Sequence, residues 1–543
     1  MFQAVKIYLT NLIGPKYIYR VKINHLPTHE VGSIKRFLQT FDLNTFKKAP
    51  KWDYAYMNFE TEQAAREAMR KLQGVEFKKK LLSTEFSKVE EQVFRSRFEG
   101  KKKILPDLAL ETRSPAEKLA DQVTPLYKVP YLDQVARKHK LAYRFLNTLR
   151  KKVSTLPEIS DEAKLQVSWT DAIETMDIKL LKTIKSPSTQ GYRTKCEFTI
   201  GKDLQGEKTV GFLLGLYRDG VTAVLSPEDC LHVSDQAKKV AKLMEDYVKE
   251  SRYDVYDRVN QMGVWRTIMT KTQRTGDVMI LIQMNTSQLT DRQVQAEKEK
   301  LIAYWTARMK TTTVMLQIWN GGSNGITDKG TTEILTGDGY VYEELLGYKF
   351  RISSNAFFQV NTAATELLYA KCAEWTKSDK KTTLLDLCCG TGTIGILMSK
   401  WVDKVIGIEL IPQAIVDAKA NALLNNVVNV EYHASKVEDK MDIIVREKNE
   451  SVIAVLDPPR NGVHTSVIRA IRESDAIEKV IFISCDVKQT LPNLIGLCRP
   501  TSNRFKGMPF KPSRAVCIDL FPHTEHCEMM IEFVRLKNPA TPA

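Results

Sequence analysis

Residues 384–410 read LLDLCCGTGTIGILMSKWVDKVIGIEL, and this stretch decides the fold. A short apolar run reaches Asp386, a turn with Gly390-Thr391-Gly392 follows, an apolar helical pattern runs to Lys400, and a β-branched run, Val405 to Ile408, ends in Glu409. The order predicts strand, loop, helix, strand and acid. Bare glycines let backbone approach a ligand closely, and an acid at the tip of the second strand is placed to accept both hydroxyls of a ribose. Gly390, Gly392 and Glu409 are therefore expected to hold a nucleoside cofactor. Taken alone the stretch leaves its identity open: Gly390, Gly392 and Gly395 also satisfy G-x-G-x-x-G, so a nicotinamide dinucleotide fits, as does a tight turn with no ligand.

A chain of 543 residues is too long for one core and predicts about three domains. It is 43% apolar with no apolar run near the ~20 residues of a membrane span, so no membrane partner is expected. Lys and Arg outnumber Asp and Glu by 80 to 65, a formal +15, which suits a polyanionic partner, although runs such as Lys101-Lys102-Lys103 are commonly solvated faces. Nine cysteines without C-x-x-C or a secretory core point to a reducing compartment, expected to be cytosol and nucleus. The basic start, Met1 to Arg20, keeps a mitochondrial address open.

Four divisions are expected: a domain over 17–90, a linker over 91–120, a mixed α+β domain over 121–347 and a Rossmann-like α/β domain over 348–537. In the first, strands at Tyr19 to Leu26, Tyr54 to Phe59 and Lys80 to Phe86 alternate with helices at Val31 to Thr40 and Thr61 to Leu72. With Tyr54, Tyr56 and Phe59 on one strand, this order resembles an RNA-recognition motif of ferredoxin-like fold, in which sheet aromatics stack on bases. Lys22 stands where an aromatic is usual and Trp52-Asp53 where a basic-Gly pair is usual, so a sheet that binds protein, or nothing, is the competing reading. In the second, Gly191-Tyr192-Arg193-Thr194-Lys195 puts two cations after a turn, where they meet a phosphate backbone or only solvent. At the start of the third, Gln359 and Asn361 are amides beside Phe357 and Phe358; they suit a carboxylate or a base edge, with helix capping a competing role for Asn361.

Three marks fall where parallel strands should end. Val452 to Leu456 stops at Asp457-Pro458-Pro459, since proline cannot continue a ladder, and this fixes Asp457 at the ligand-binding edge. Lys479 to Ser484 is followed by Cys485, placed at a helix start whose dipole favours thiolate. The run Asp519 to Glu528, DLFPHTEHCE, offers acids, histidines and a cysteine; a metal at His523, His526 and Cys527 lacks a second ligand cluster, and a general base is the better use of a glutamate there.

A thiolate, a fixed Asp and a base beside a nucleoside cofactor suit one chemistry well. Carbon 5 of a pyrimidine is a poor nucleophile until a thiolate adds at carbon 6, after which it accepts a methyl group from a sulfonium and a base removes its proton. The motifs FFQVN at 357–361, LLDLCCGTGTIGI, DPPRNGVH, ISCD and FPHTEHCE, in this order, are similar to those of the RNA uracil-5-methyltransferase family. The resemblance spans most of 121–536. It implies S-adenosylmethionine as cofactor, Cys485 as nucleophile and Glu528 as base, with Glu525 the runner-up. It also implies Gln359, Glu409 and Asp457 as contacts to cofactor or target base, Asp457 reading the uracil edge. Cys388-Cys389 stands where an aromatic-Cys pair is common in the family; both are expected to be buried small side chains. The iron–sulfur cysteines of some bacterial rRNA-specific members have no counterpart, so no metal is expected. The expected partner is tRNA, at uridine 54 of the T-loop, bound by a monomer with the base flipped out. The same chemistry on rRNA or mRNA, or an RNA-binding or tRNA-folding protein with secondary catalysis, is the alternative.

Overall fold

The computed structural model describes residues 17–537 except 29–30, 44–45, 49–51, 60, 79, 91–112, 157–160, 172–177, 216–222, 259, 324, 378–380, 441 and 444–450. The basic start before Tyr17, most of the expected linker and Lys101 to Lys103 lie outside the described residues. The chain forms two compact units, Met1–Thr112 and Arg113–Ala543.

In the first unit, β1 (Tyr17–Asn24), α1 (Val31–Gln39), β2 (Ala55–Phe59), α2 (Glu62–Leu72) and β3 (Ser83–Glu90) build an antiparallel sheet in the order β2-β1-β3. Thr61 caps α2 by accepting from the Ala64 N–H, and Ala65, Ala68 and Leu72 form its buried stripe. Of the three aromatics expected on one strand, Tyr56 and Phe59 lie in β2 and Tyr54 directly precedes it. Side chains alternate along a strand, so Phe59 packs toward the core under the sheet while Tyr54 and Tyr56 stand opposite. The last strand also runs later than Lys80 to Phe86.

The second unit holds two large sheets. After α3 (Pro115–Val123), α4 (Tyr131–Ser154) and the short β4 (Lys179–Leu180) come β5 (Lys195–Lys202), β6 (Lys208–Leu213), β7 (Val224–Leu225), α5 (Asp235–Glu250), β8 (Trp265–Thr272), β9 (Val278–Met284), α6 (Asp291–Arg308), β10 (Thr313–Ile318) and β11 (Thr331–Thr336). These make a seven-stranded sheet, β11-β10-β9-β8-β5-β6-β7, whose apolar face packs on α5 and α6 through residues such as Val240, Met244, Leu301 and Trp305.

A hairpin, β12 (Tyr340–Leu345) with β13 (Tyr348–Ser353), leads to α7 (Thr362–Thr376) and to the second sheet. That sheet uses β14 (Thr382–Leu387), β15 (Lys404–Glu409), β16 (Val430–Ala434), β17 (Ser451–Leu456), β18 (Ile477–Ser484), β19 (Phe510–Ile518) and β20 (Glu528–Arg535), with α8 (Thr393–Met398), α9 (Pro412–Leu424), α10 (Thr465–Glu473) and α11 (Val487–Cys498). The order is β16-β15-β14-β17-β18-β20-β19-β4; β20 runs antiparallel to both neighbours and the strands from β16 to β18 are parallel. Strands covered on both faces read as unbroken apolar runs, and here alternate residues of each strand feed separate cores. Leu385, Leu387, Ile406 and Ile408 face one, Leu384, Val405, Ile453 and Val455 the other. Two features cross the 347/348 boundary read from sequence. β12 and β13 pair across it, and Phe145, Leu146, Leu149 and Val153 of α4 pack into the core of the eight-stranded sheet, whose edge β4 extends. Among the described residues no helix is long and apolar enough to cross a membrane.

Candidate active site

In an open α/β sheet ligands bind beyond the carboxyl ends of the parallel strands, where strand order reverses. Here the chain reverses at β14, which lies between β15 and β17. Register puts Leu387 beside Ile408 and Leu456, and Leu456 beside Phe482, so the glycine loop, Glu409, Asp457 and Cys485 all emerge on one edge. The antiparallel β20 begins on that same edge. Ser484 is paired with Met529, so one step further along each strand sets Cys485 opposite Glu528.

The loop is built tightly. Gly392 adopts φ +78° at the start of α8, and a Cβ on it would sit 2.5 Å from the Tyr432 hydroxyl. Gly395 has the packing role of a third glycine: a Cβ there would meet Val405 Cγ1 at 2.7 Å. Gly390, at φ +53°, has open space beside it. Its N–H donates to Glu409 Oε2 at 3.1 Å while the Ile411 N–H donates to Oε1 at 3.0 Å, leaving lone pairs on both oxygens for a diol. Below the loop Asp386 is fully buried, accepts from the Gly395 N–H at 2.8 Å through Oδ2 and keeps Oδ1 without a partner. Burial pushes this carboxyl up to about 7, against the pull of the Gly395 bond. A loop cradle with one open glycine and an acid at the next strand tip fits a nucleoside cofactor.

Across the edge, Gln359 is 7% exposed and its Nε2 donates to Asp457 Oδ2 at 3.5 Å. Burial pushes Asp457 up to about 7, with the Gln359 bond opposing. Glu528, 2% exposed, is held well above the carboxylate range by burial, then by Asp457 and Cys527. The sequence expectation of a readily ionised Cys485 is corrected. Burial and then Glu528 push the thiol up, while Arg460 pulls it down; Asp486 caps the start of α11, accepting from the Gln489 N–H. The thiol and the two acids are thus all shifted toward their neutral forms. Glu525 is exposed. Cys389 is buried against the Gly407 backbone, and Cys388 is half-buried with φ +69°. Asn361 takes the capping role, accepting from the Ala364 N–H at 3.2 Å, and its Nδ2 donates to Ser186 Oγ and the Leu520 carbonyl.

The loop before Glu528 is pinned from α4, which sequence reasoning did not connect to the site. Lys138 Nζ donates to Asp519 Oδ1 at 2.6 Å and to the Phe521 carbonyl at 3.0 Å, and the Gln134 side chain accepts from the His523 N–H at 2.8 Å. The signal was present: Gln134 and Lys138 continue the four-residue stripe of Ala142, Phe145, Leu146, Leu149 and Val153. Two polar side chains on an apolar stripe ask for buried partners. His523 is directed into this contact, His526 is exposed, and Cys527 Sγ lies 3.4 Å from Cys517 Sγ.

Sheet order, glycine loop and edge acids define the class: a Rossmann-like α/β fold with a nucleoside-cofactor edge. A sequence model of the tRNA (uracil-5-)-methyltransferase family matches residues 172–535. The chain is 34% identical to human tRNA (uracil-5-)-methyltransferase homolog A, over 98% of this chain and 85% of that protein. It is 33% identical to human homolog B, over 77% and 84%. The fold is shared with Pyrococcus abyssi tRNA (uracil-54, C5)-methyltransferase in complex with S-adenosyl-L-homocysteine, at TM-score 0.55, 19% identity, 75% of this chain and 85% of that one. The chain belongs to the tRNA (uracil-5-)-methyltransferase family and is an S-adenosylmethionine-dependent transferase.

Proposed function

We propose that this enzyme methylates carbon 5 of uridine 54 in the tRNA T-loop, the position named for the archaeal protein of the same fold, through a covalent bond from Cys485 to carbon 6. The observation that carries it is the register that sets Cys485 opposite Glu528 on the edge holding Asp457 and the glycine loop. Gly390, Gly392 and Glu409 hold the cofactor, which supplies a methyl group activated on sulfonium. Asp457, pushed up to about 7 by burial and braced by Gln359, donates from its protonated form to a uracil carbonyl as the base enters. Cys485 and Glu528 lose their protons to solvent before the base seats, Arg460 facing the thiolate; the thiolate then adds to carbon 6 and raises electron density at carbon 5. Once carbon 5 carries the methyl group, Glu528 takes its proton; the carbon 5–carbon 6 double bond re-forms and the sulfur leaves.

The first unit is read as an RNA-recognition-like module. Supporting it, β1 is the central strand with β2 paired beside it, and Tyr54 and Tyr56 stand on the face away from the core. Trp52 stacks on Tyr54 at 4.7 Å and the Arg20 guanidinium covers Tyr56 at 3.5 Å, so an RNA base must displace or join these partners.

The deciding experiment incubates the enzyme with S-adenosylmethionine and tRNA containing 5-fluorouridine. Fluorine cannot leave as a proton does, so a stalled protein–RNA adduct is expected by mass spectrometry, absent from Cys485→Ala. A wild-type enzyme that binds this tRNA and forms no adduct contradicts the mechanism.

A further inference from the structure

The second unit contains a cavity of about 250 Å³ that the reaction above does not use. It lies between the β5–β8 side of the seven-stranded sheet and the start of α7, and its lining includes Arg193, Gln273, Arg274, Gln236 and Thr362 but no carboxylate. The volume falls below the roughly 300–1,000 Å³ of pockets that hold drug-sized ligands. Two helix starts border it, α5 at Gln236 and α7 at Thr362 and Ala363, each presenting positive dipole ends and early backbone N–H groups.

Its two arginines differ. Arg274 is committed, donating to Glu366 at 2.8 and 3.2 Å and to the Glu344 carbonyl at 2.7 Å. Arg193 donates only its Nε, to the Lys195 carbonyl at 2.9 Å, and among the described residues no carboxylate pairs with it. Gln273 is 6% exposed and its Oε1 has no partner. A buried acceptor left empty is costly. Its terminal torsion is soft, so the oxygen can turn to meet a donor entering the cavity. An uncompensated guanidinium, two helix starts and an empty acceptor together suit an anion joined to a hydroxyl.

The walls are tied to the catalytic edge on both sides. The Thr194 N–H donates to the Val360 carbonyl at 2.8 Å, next to Gln359, and the Tyr192 hydroxyl donates to the Pro522 carbonyl at 3.1 Å, in the loop that leads to Glu528. Thr362 is three residues from Gln359, a reach of at most about 11 Å. An RNA whose base is turned into the edge must lay its backbone within one or two nucleotides of such a site.

Resting on the methyltransferase reading, we infer that this cavity takes one phosphodiester and the adjoining ribose of the RNA next to the target uridine, Arg193 and the α7 start binding the phosphate and Gln273 Oε1 accepting the 2′-hydroxyl. A 2′-hydroxyl is what distinguishes RNA from DNA at a given site.

The test uses the full-length protein and T-arm hairpins, each with one methylphosphonate linkage or one 2′-deoxy nucleotide near the target. Binding is measured by anisotropy at several salt concentrations. One linkage within two nucleotides of the target should weaken wild-type binding about tenfold to a hundredfold, the range of a charge-assisted hydrogen bond. Arg193→Ala should weaken the unmodified hairpin by a similar factor, lower the salt slope by about one and become indifferent to that linkage. Arg193→Lys should regain part of the sensitivity, which a merely unfolded variant would not, and Gln273→Leu should abolish the penalty of one 2′-deoxy position. An interference pattern unchanged by Arg193→Ala overturns the proposal. So does stabilisation of wild type, but not Arg193→Ala, by inorganic phosphate with no sensitive linkage, which would assign the cavity to a free anion. Adduct formation on 5-fluorouridine tRNA is scored separately, so the subsite can fail while the methyltransferase reading stands.

Discussion

Lys138 and Asp519 lie 381 positions apart and meet at 2.6 Å with both side chains wholly excluded from solvent. The pair joins α4 to the loop that presents Glu528, and the Phe521 N–H donates to the same Asp519 oxygen at 3.1 Å. Removing one member of a buried pair strands the other charge, which typically costs about 3–5 kcal/mol. Lys138→Ala should lose that much in urea unfolding, and Lys138→Met with Asp519→Leu should recover most of it. A Lys138→Ala loss below about 1 kcal/mol would show that the charge is reached by water.

Asp386 makes stability depend on pH in the direction opposite to an ordinary paired carboxylate. Its native carboxyl is raised to about 7 from an ordinary 3.8, so the folded state holds the proton more tightly than the unfolded chain between those values. The contribution is complete below about 4 and is lost as pH rises through about 7. Asp457 and Glu528, also raised, act in the same sense. The cofactor-free wild type should lose stability relative to Asp386→Asn between pH 5 and pH 8, measured by the urea midpoint. A constant difference across that range would show that Asp386 is ionised in the native protein.

The two loop glycines separate cofactor binding from folding. Gly392→Ala adopts φ +78° with its Cβ 2.5 Å from the Tyr432 hydroxyl and 3.1 Å from Ala418 Cβ, so strain of about 1–2 kcal/mol is joined by a clash inside the core. Gly390→Ala meets nothing within 4 Å and carries only the conformational cost. On the cofactor placement proposed above, its methyl group occupies the open space beside the loop. We expect Gly392→Ala to lower the melting temperature several degrees and Gly390→Ala to lower it less, with both weakening S-adenosylhomocysteine binding about tenfold or more in calorimetry. Equal melting temperatures would mean that the Tyr432 contact relaxes.

What sequence could reveal followed from local physics. The strand at Leu384 to Leu387 and the stop at Asp457 were legible because double-sided burial demands unbroken apolar runs and proline ends a ladder. The edge that gathers Gly390, Glu409, Asp457 and Cys485 follows from strand ends alone. Lys138 and Gln134 were not legible as neighbours of Asp519 and His523, since their partners are set by tertiary packing of residues hundreds of positions away. The direction in which Cys485 shifts was misjudged for the same reason: a helix start is visible in sequence, whereas burial beside Glu528 is a property of the assembled sheet.

Glu528 and Glu525 stand three residues apart, and the structure gives them opposite surroundings. Glu528 opens β20 at 2% exposure opposite Cys485, whereas Glu525 is exposed in the preceding loop. A base that must take a proton from carbon 5 needs the buried position and a high proton affinity, which burial and Asp457 supply to Glu528. Glu528→Gln should therefore leave the addition of Cys485 intact and stop the elimination. On ordinary tRNA it should accumulate a methylated covalent adduct, with kcat lower by about 10²–10⁴, while Glu525→Gln stays within about twofold of wild type. The pH profile supplies an independent reading. On the proposed mechanism Cys485 and Glu528 act deprotonated and both are pushed up, whereas Asp457 acts protonated and is pushed up to about 7. So kcat/KM of the wild type should rise with pH on the acid side and fall once Asp457 loses its proton, and Asp457→Asn should remove the fall. Adduct accumulation in Glu525→Gln and not in Glu528→Gln would transfer the base to the exposed glutamate and require the loop to fold inward on RNA.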